Sequence, residues 1–243
     1  MYSPSLFWIG KKYHLEDMQF SDLVKAYIQY PAILVYFFIG VAGICYISIE
    51  SAWSILHALI ALIVMIIYPL VWYLLHRFVL HGRYLYKMQG FAKVWKRIHY
   101  DHHRDPNDLR VLFGALHTTL PTVAIFCMPI GWAIDGLAGA VVGLVAGVFV
   151  TMFYEFCHCI QHLHYTPNIK FLKSIKRLHL LHHFRNEKGN YGITNYVCDR
   201  LFGTYYDKQD KWKKSPTVFN LGYDEKEASL YPWVQQLTKS QHQ

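Results

Sequence analysis

Residues 113–157 read FGALHTTLPTVAIFCMPIGWAIDGLAGAVVGLVAGVFVTMFYEFC, a long apolar stretch that contains no Lys or Arg. A bilayer crossing takes about 20 helical residues. The stretch therefore holds two spans, Phe113–Ile134 and Gly136–Cys157, turning at Asp135-Gly136. Working outward, two further apolar runs, Pro31–Ile49 and Trp53–Leu75, are joined by an equally short turn around Glu50-Ser51. The expected fold is all-α and integral to a membrane, with four transmembrane helices in two hairpins.

The charges orient this arrangement. Of 24 Lys and Arg residues, three fall in residues 1–30, eight in 76–112 and thirteen in 158–243, leaving none for either short turn. The positive-inside rule then puts both termini and the central segment in the cytosol. Endoplasmic reticulum and bacterial inner membrane give the same pattern. Residues 1–30 read as an interfacial segment without the order of a cleaved signal peptide, and the chain as a single domain. Hydrophobic residues make up 53% of the chain and charged ones 16%, which separates it from an ordinary soluble domain. The net charge of +8 comes without a phosphate loop or zinc-finger spacing, so no nucleic-acid partner is expected. Five cysteines without a CxxC pair argue against a disulfide framework, and Cys157 and Cys159 read as small packing residues.

Fifteen histidines are present, and ten fall into ordered groups. These are His76 and His81 in HRFVLH; His99, His102 and His103 in HYDHH; His158 and His162 in HCIQH; and His179, His182 and His183 in HLLHH. The topology gathers all four groups on the cytosolic side, in segments 76–112 and 158–203. Helical positions i, i+3 and i+4 share a face, so each HxxHH block is expected to converge on one point. His76 and His81, five apart, need a helix end, a local bulge or two different metals, and the last is the preferred reading. Ten imidazoles exceed one four-coordinate site, so two metals with four or five histidines each are expected. Imidazole suits iron, copper, nickel or zinc alike.

Metal-bound imidazoles usually donate their second N–H to a carboxylate or carbonyl. Asp101 and Glu155 are the first candidates for that supporting part, followed by His164, Asn195 and Asp199. His117, near the start of the third span, is a candidate for the substrate path. His57 reads as a helix-packing residue, His14 and His242 as surface residues, and the polar tail 204–243 as having no catalytic part.

With HRFVLH, HYDHH, YEFCHCIQH and HLLHHFRNEKGNYGITNYVCDRLFGT in place, the chain from about His76 to Thr204 resembles the fatty acid hydroxylase/sterol desaturase superfamily of integral-membrane di-iron enzymes. Within it, the stretch from Tyr154 to Thr204 looks most like the fatty acid 2-hydroxylases. The resemblance implies four membrane helices capped by a cytosolic helical histidine-rich di-metal domain, with the ten grouped histidines as ligands. It implies hydroxylation at carbon 2 of a long acyl chain, free or within a sphingolipid, using O2 and external electrons. Two departures stand out. Leu163 follows His162 where the 2-hydroxylase pattern often has another histidine, and no haem-binding HPGG signature occurs. Haem is therefore not expected in this chain, and electrons are expected from a separate donor such as cytochrome b5, or ferredoxin with its reductase.

The chemistry gives an independent reason for metal, since amino-acid side chains cannot oxidise an unactivated methylene. Two irons are the expected cofactor, with zinc able to replace them in isolated protein. Competing readings are desaturation or hydroxylation of a sterol or carotenoid, a metal transporter, and a metal-stabilised structural protein. Transport would call for ionisable residues along the spans, which hold few beyond His57, His117 and Glu155.

Overall fold

A computed structural model of the protein describes residues 14–50, 53–165, 168–210 and 212–241. His242, Ser51 and the first thirteen residues of the expected interfacial segment lie outside the described residues. Among the described residues every extended element is helical, and the only β-type pairing is a single bridge between His14 and Asp108.

Three helical stretches are long and apolar enough to cross a membrane: Pro31–Glu50, Ile55–Leu80 and Leu109–His162. The first is α2, which follows a short helix α1 (Phe20–Ile28). The second comprises α3 (Ile55–Leu74) and a π-helical end, Leu75–Leu80. These helices are apolar on every side, as lipid-facing helices are. Phe38, Ile55, Ile66 and Ile125 remain 64–81% exposed on their outer faces.

Between them come α4 (Gln89–Trp95), a π-helical turn Lys96–Tyr100, α5 (Asp101–Arg104) and α6 (Leu109–Leu112). The longest helix, α7 (Leu116–His162), is two helices in one. Its backbone leaves the helical region at Asp135 (φ −146°, ψ 38°) and Gly136 (φ 51°, ψ −137°). Beyond that point the chain folds back on itself. Gly131 lies against Gly139, Gly143 against Cys127, and Gly147 against Val123 and Cys127. A Cβ on Gly131 or Gly139 would strike the backbone of the opposite arm, so only glycine permits this approach. Gly139→Val is accordingly expected to cost about 1–3 kcal/mol or more through overpacking, read as a lower denaturation midpoint in detergent.

The turn is also tied to α3. His57 Nε2 lies 2.9 Å from Asp135 Oδ2, and Trp53 meets the His57 ring edge-on. The packing role expected of His57 thus has a specific partner. Both α2 and α3 pack chiefly on α7. Their shared core includes Tyr36, Val64, Tyr68, Val123 and Val148, and Tyr27 of α1 donates its hydroxyl to the Met152 carbonyl at 2.6 Å.

The remaining helices attach at the histidine-bearing ends of α3 and α7. They are α8 (Lys170–Phe184), α9 (Val197–Leu201), α10 (Glu225–Leu230) and α11 (Trp233–Gln241). α8 packs on α7, α9 on α3, and α11 on α4. Tyr223, Ala228 and Val234 form a second core with Tyr86, Trp95 and Tyr100. Among the described residues, the polar segment beyond Thr204 is thus built into the fold through Leu221, Tyr223, Ala228 and Val234.

Candidate metal centre

Two π-helical turns set the geometry. At the end of α3, the His81 N–H bonds to the His76 carbonyl at 3.0 Å, an i→i+5 bond. This puts the two imidazoles on the same side, with their Nε2 atoms 3.2 Å apart. The reading that assigned them to different metals is corrected here: the local bulge wins, and both rings enter one group. The second π turn, Lys96–Tyr100, leads into α5 and aims His99 and His103 at the same place. Such turns are rare and occur often at functional sites.

The ten histidines form two adjoining groups. The first contains His76, His81, His99 and His103, and the second His102, His158, His162, His179 and His183; in each, one nitrogen per ring lies within 4.8 Å of the others. His182 completes the first, since its Nε2 is 3.1 Å from that of His81. His103, His182 and His183 also satisfy the same distance limit and link the two groups.

Each HxxHH block is thus split between the groups, and does not converge on one point. Helical geometry gives the reason. Relative to His179, a residue three along lies about 60° to one side and a residue four along about 40° to the other. His183 stays with His179, while His182 faces the neighbouring group. The HYDHH block does the reverse: His99 and His103 stay together in the first group, and His102 crosses to the second. The two blocks interlock.

Several tests of chemistry favour a metal here. The Nε2 atoms of His158 and His179 are 3.1 Å apart, and those of His162 and His179 are 2.9 Å apart. Two nitrogens bound at right angles to one ion at about 2.1 Å would be about 3.0 Å apart. His99 Nε2, His103 Nε2 and both ring nitrogens of His102 and His183 are buried with no hydrogen-bond partner among the described residues. Buried polar atoms are normally paired. Burial pushes the imidazoles of His81, His99, His102, His179, His182 and His183 well below their ordinary pKa. It pushes His103 down to about 3, against the opposing pull of the Val218 carbonyl. At neutral pH these rings are neutral, with lone pairs free to bind a cation. The histidine-rich groups fit a metal site. No cysteine enters either group, and Cys157 and Cys159 are buried in apolar clusters as expected.

The supporting residues differ from expectation. Asp101 accepts from Lys96 Nζ at 2.8 and 2.7 Å, so the buried ammonium beside it claims the carboxylate. Asn195 Oδ1 accepts the Val197 N–H, closing the turn before α9. His164 is exposed, since the helix has already ended at His162, and its N–H bonds to the Leu15 carbonyl. His117 is exposed as well: Thr118, Thr119 and Thr122 take the inner face of that helix. Glu155 Oε1 accepts the Gly114 N–H at 3.1 Å, and its buried Oε2 has no hydrogen-bond partner among the described residues.

Asp199 acts through the backbone. Its carboxylate accepts from the Tyr191 and Gly192 N–H groups, both at 2.8 Å, and from the Thr204 hydroxyl at 2.7 Å. Burial pushes this carboxyl above its ordinary pKa, while those three donors and Arg77 pull it back. The loop so fixed presents the Tyr191 carbonyl to His76 Nδ1 and the Gly189 carbonyl to His182 Nδ1, each at 2.7 Å. Backbone carbonyls thus do much of the work expected of carboxylates. Sequence reading also missed Val218, whose carbonyl meets His103 Nδ1 at 3.0 Å. Any side chain carries a carbonyl, so no residue type signals that role.

A cavity of about 170 Å³ borders both groups, through His76 and His99 of the first and His102, His158 and His179 of the second. Trp72, Leu75, Val79, Leu80 and Thr122 line it further. Trp72 and Thr122 also border a small apolar void of about 10 Å³, with Val64, Val71, Phe126 and Ile130, between α3 and the first arm of α7.

This histidine constellation on apolar helices agrees with the comparisons. Residues 60–204 match the family model described as fatty acid hydroxylase, and the chain belongs to that family of oxygen-dependent hydroxylases. It is 31% identical to the dihydroceramide fatty acyl 2-hydroxylase of Arabidopsis thaliana over 71% of this chain and 73% of that protein. It is 30% identical to the ceramide very long chain fatty acid hydroxylase of Saccharomyces cerevisiae over 57% of this chain, but only 36% of that protein. Among solved structures, the hydroxylase domain visible in full-length Scs7p matches with a TM-score of 0.60 and 24% identity, covering 79% of this chain and 68% of that one. That likeness bears on the fold alone.

Proposed function

We propose that this protein hydroxylates carbon 2 of a long acyl chain, free or carried by a sphingolipid, at a centre of two irons held by the ten histidines. The cavity carries this reading: it touches both histidine groups and is walled further by apolar side chains of the membrane helices, Trp72, Leu75, Val79 and Leu80 among them. An acyl chain with its polar end near the histidines and its tail among α3 and α7 presents its early carbons to the centre. In this reading the two arms of α7 cross the membrane separately, giving four spans. Both termini and the centre lie in the cytosol, under a cap formed by the shorter helices, where basic residues concentrate.

The bound metals supply what side chains lack, the capacity to activate O2 with electrons from a donor such as cytochrome b5 or ferredoxin with its reductase. The protein's residues do the rest. The first histidine group would hold one ion and the second group the other, with zinc able to replace iron in isolated protein. Trp72, Leu75, Val79 and Leu80 exclude water and fix the chain near the histidines. The Thr118 and Thr122 hydroxyls donate to the Ala115 and Thr118 carbonyls, which satisfies them within the helix and leaves this wall compatible with methylenes.

Thr122 lines this cavity and borders the small void beside it. Thr122→Phe is expected to narrow the cavity and cut turnover of very long acyl chains about tenfold or more, with shorter chains less affected. The primary test is lipid mass spectrometry of cells with and without the protein, paired with metal analysis. Gain of 2-hydroxyacyl species is expected. Loss of two hydrogens without hydroxylation, or hydroxylation confined to sterols, would overturn the reading.

A further inference from the structure

The two histidine groups are supported unequally. In the first, three rings are oriented by backbone carbonyls: His76 by Tyr191, His182 by Gly189 and His103 by Val218. In the second, the Nδ1 atoms of His102, His162, His179 and His183 are buried with no hydrogen-bond partner among the described residues. A carbonyl on Nδ1 fixes the tautomer, directs the Nε2 lone pair inward and raises its basicity, a support that typically changes metal affinity 10–100-fold.

The carbonyls are themselves anchored. Asp199 holds the Tyr191 end of one loop. The Val218 carbonyl belongs to a strap that Glu187 secures. Glu187 Oε1 accepts from Ser215 Oγ at 3.0 Å and Thr217 Oγ1 at 2.5 Å, and the Ser215 N–H bonds to the Arg185 carbonyl. Glu187 is itself buried and lies four residues past His183, so α8 and the strap are joined directly beside the centre.

We infer that the two sites take up metal in order: the group containing His76, His103 and His182 fills first and holds its ion more tightly, with Glu187 and Thr217 as positioning residues for His103. This rests on the two-metal reading above.

The test is a calorimetric zinc titration of the full-length protein in detergent after removal of metal with a chelator. Two equivalents are expected, with affinities separated by about tenfold or more. His102→Ala should keep the tight equivalent, and His103→Ala should lose it. Thr217→Val and Glu187→Gln, which alter no histidine, should weaken the tight equivalent and leave the weak one in place. Circular dichroism and elution volume identify any variant that fails to fold; the wild-type titration still tests whether the sites differ, and the conservative Thr217→Val and Glu187→Gln variants test which of them is tight. Two equal equivalents, or a tight equivalent lost in His102→Ala but kept in His103→Ala, would overturn the inference while leaving two metals. Failure of wild-type protein to bind two equivalents would overturn the two-metal reading instead.

Discussion

Replacement of His102 by alanine is expected to reduce 2-hydroxyacyl formation at least about 100-fold, while His164→Ala leaves it unchanged. The contrast follows from position. His102 lies among four other histidines of the second group, with ring centroids 4.8 Å from His158, 4.9 Å from His162 and 4.5 Å from His183. It also lines the cavity. His164 is exposed, only two residues beyond His162. Removing His102 takes away a donor at the face where the acyl chain is proposed to lie, and a shift of about 1 Å there suffices for a loss of this size. Product analysis of membranes expressing each variant at matched protein level is the measurement. Full activity in His102→Ala would remove the second group from the chemistry. A transporter or structural protein would show no such dependence on hydroxylation.

The same residues show how far a sequence can be read. The ten histidines stand out by spacing, and apolar run lengths place two of the four groups, His76/His81 and His158/His162, at the ends of long helices. The reversal at Asp135-Gly136 is equally legible, because a charge and a glycine interrupt an otherwise unbroken apolar run. The division of ligands between the two groups is not legible, because it depends on departures from regular helix. Spacing of five reads as divergence at 3.6 residues per turn, yet the i→i+5 bond from His81 to His76 turns both rings the same way. The support of the rings escapes the sequence for a different reason. Carboxylates near histidines are natural candidates, but Asp101 has Lys96 for a partner, and the imidazoles of His182, His76 and His103 instead meet peptide carbonyls of Gly189, Tyr191 and Val218. Two of those belong to the GNYG stretch. Its glycines are fixed by close approach: a Cβ on Gly189 would meet the Thr204 carbonyl, and one on Gly192 the Asn195 carbonyl.

Asp199→Ala is expected to be the most damaging change away from the histidines. It leaves the Tyr191 and Gly192 N–H groups without their carboxylate in a fully buried setting. Thr204 retains Tyr73 as a partner at 2.9 Å, so its hydroxyl is not stranded. Two orphaned buried amides cost about 1–3 kcal/mol each, for a loss of about 2–6 kcal/mol. That range overlaps the whole stability of many domains. The effect should also reach the metals, because the Tyr191 carbonyl that orients His76 belongs to the same residue whose N–H Asp199 holds. Asp199→Asn keeps one acceptor oxygen but turns an amide donor toward a donor group, so it should fall between wild type and Asp199→Ala. Denaturant titration of the purified protein, with metal content measured on the folded fraction, tests both effects. A stable Asp199→Ala protein with two bound metals would show that the loop holds its carbonyls in place without the carboxylate. If Asp199→Asn keeps its fold but loses metal, the carboxylate's part in aiming His76 is separated from its part in stability.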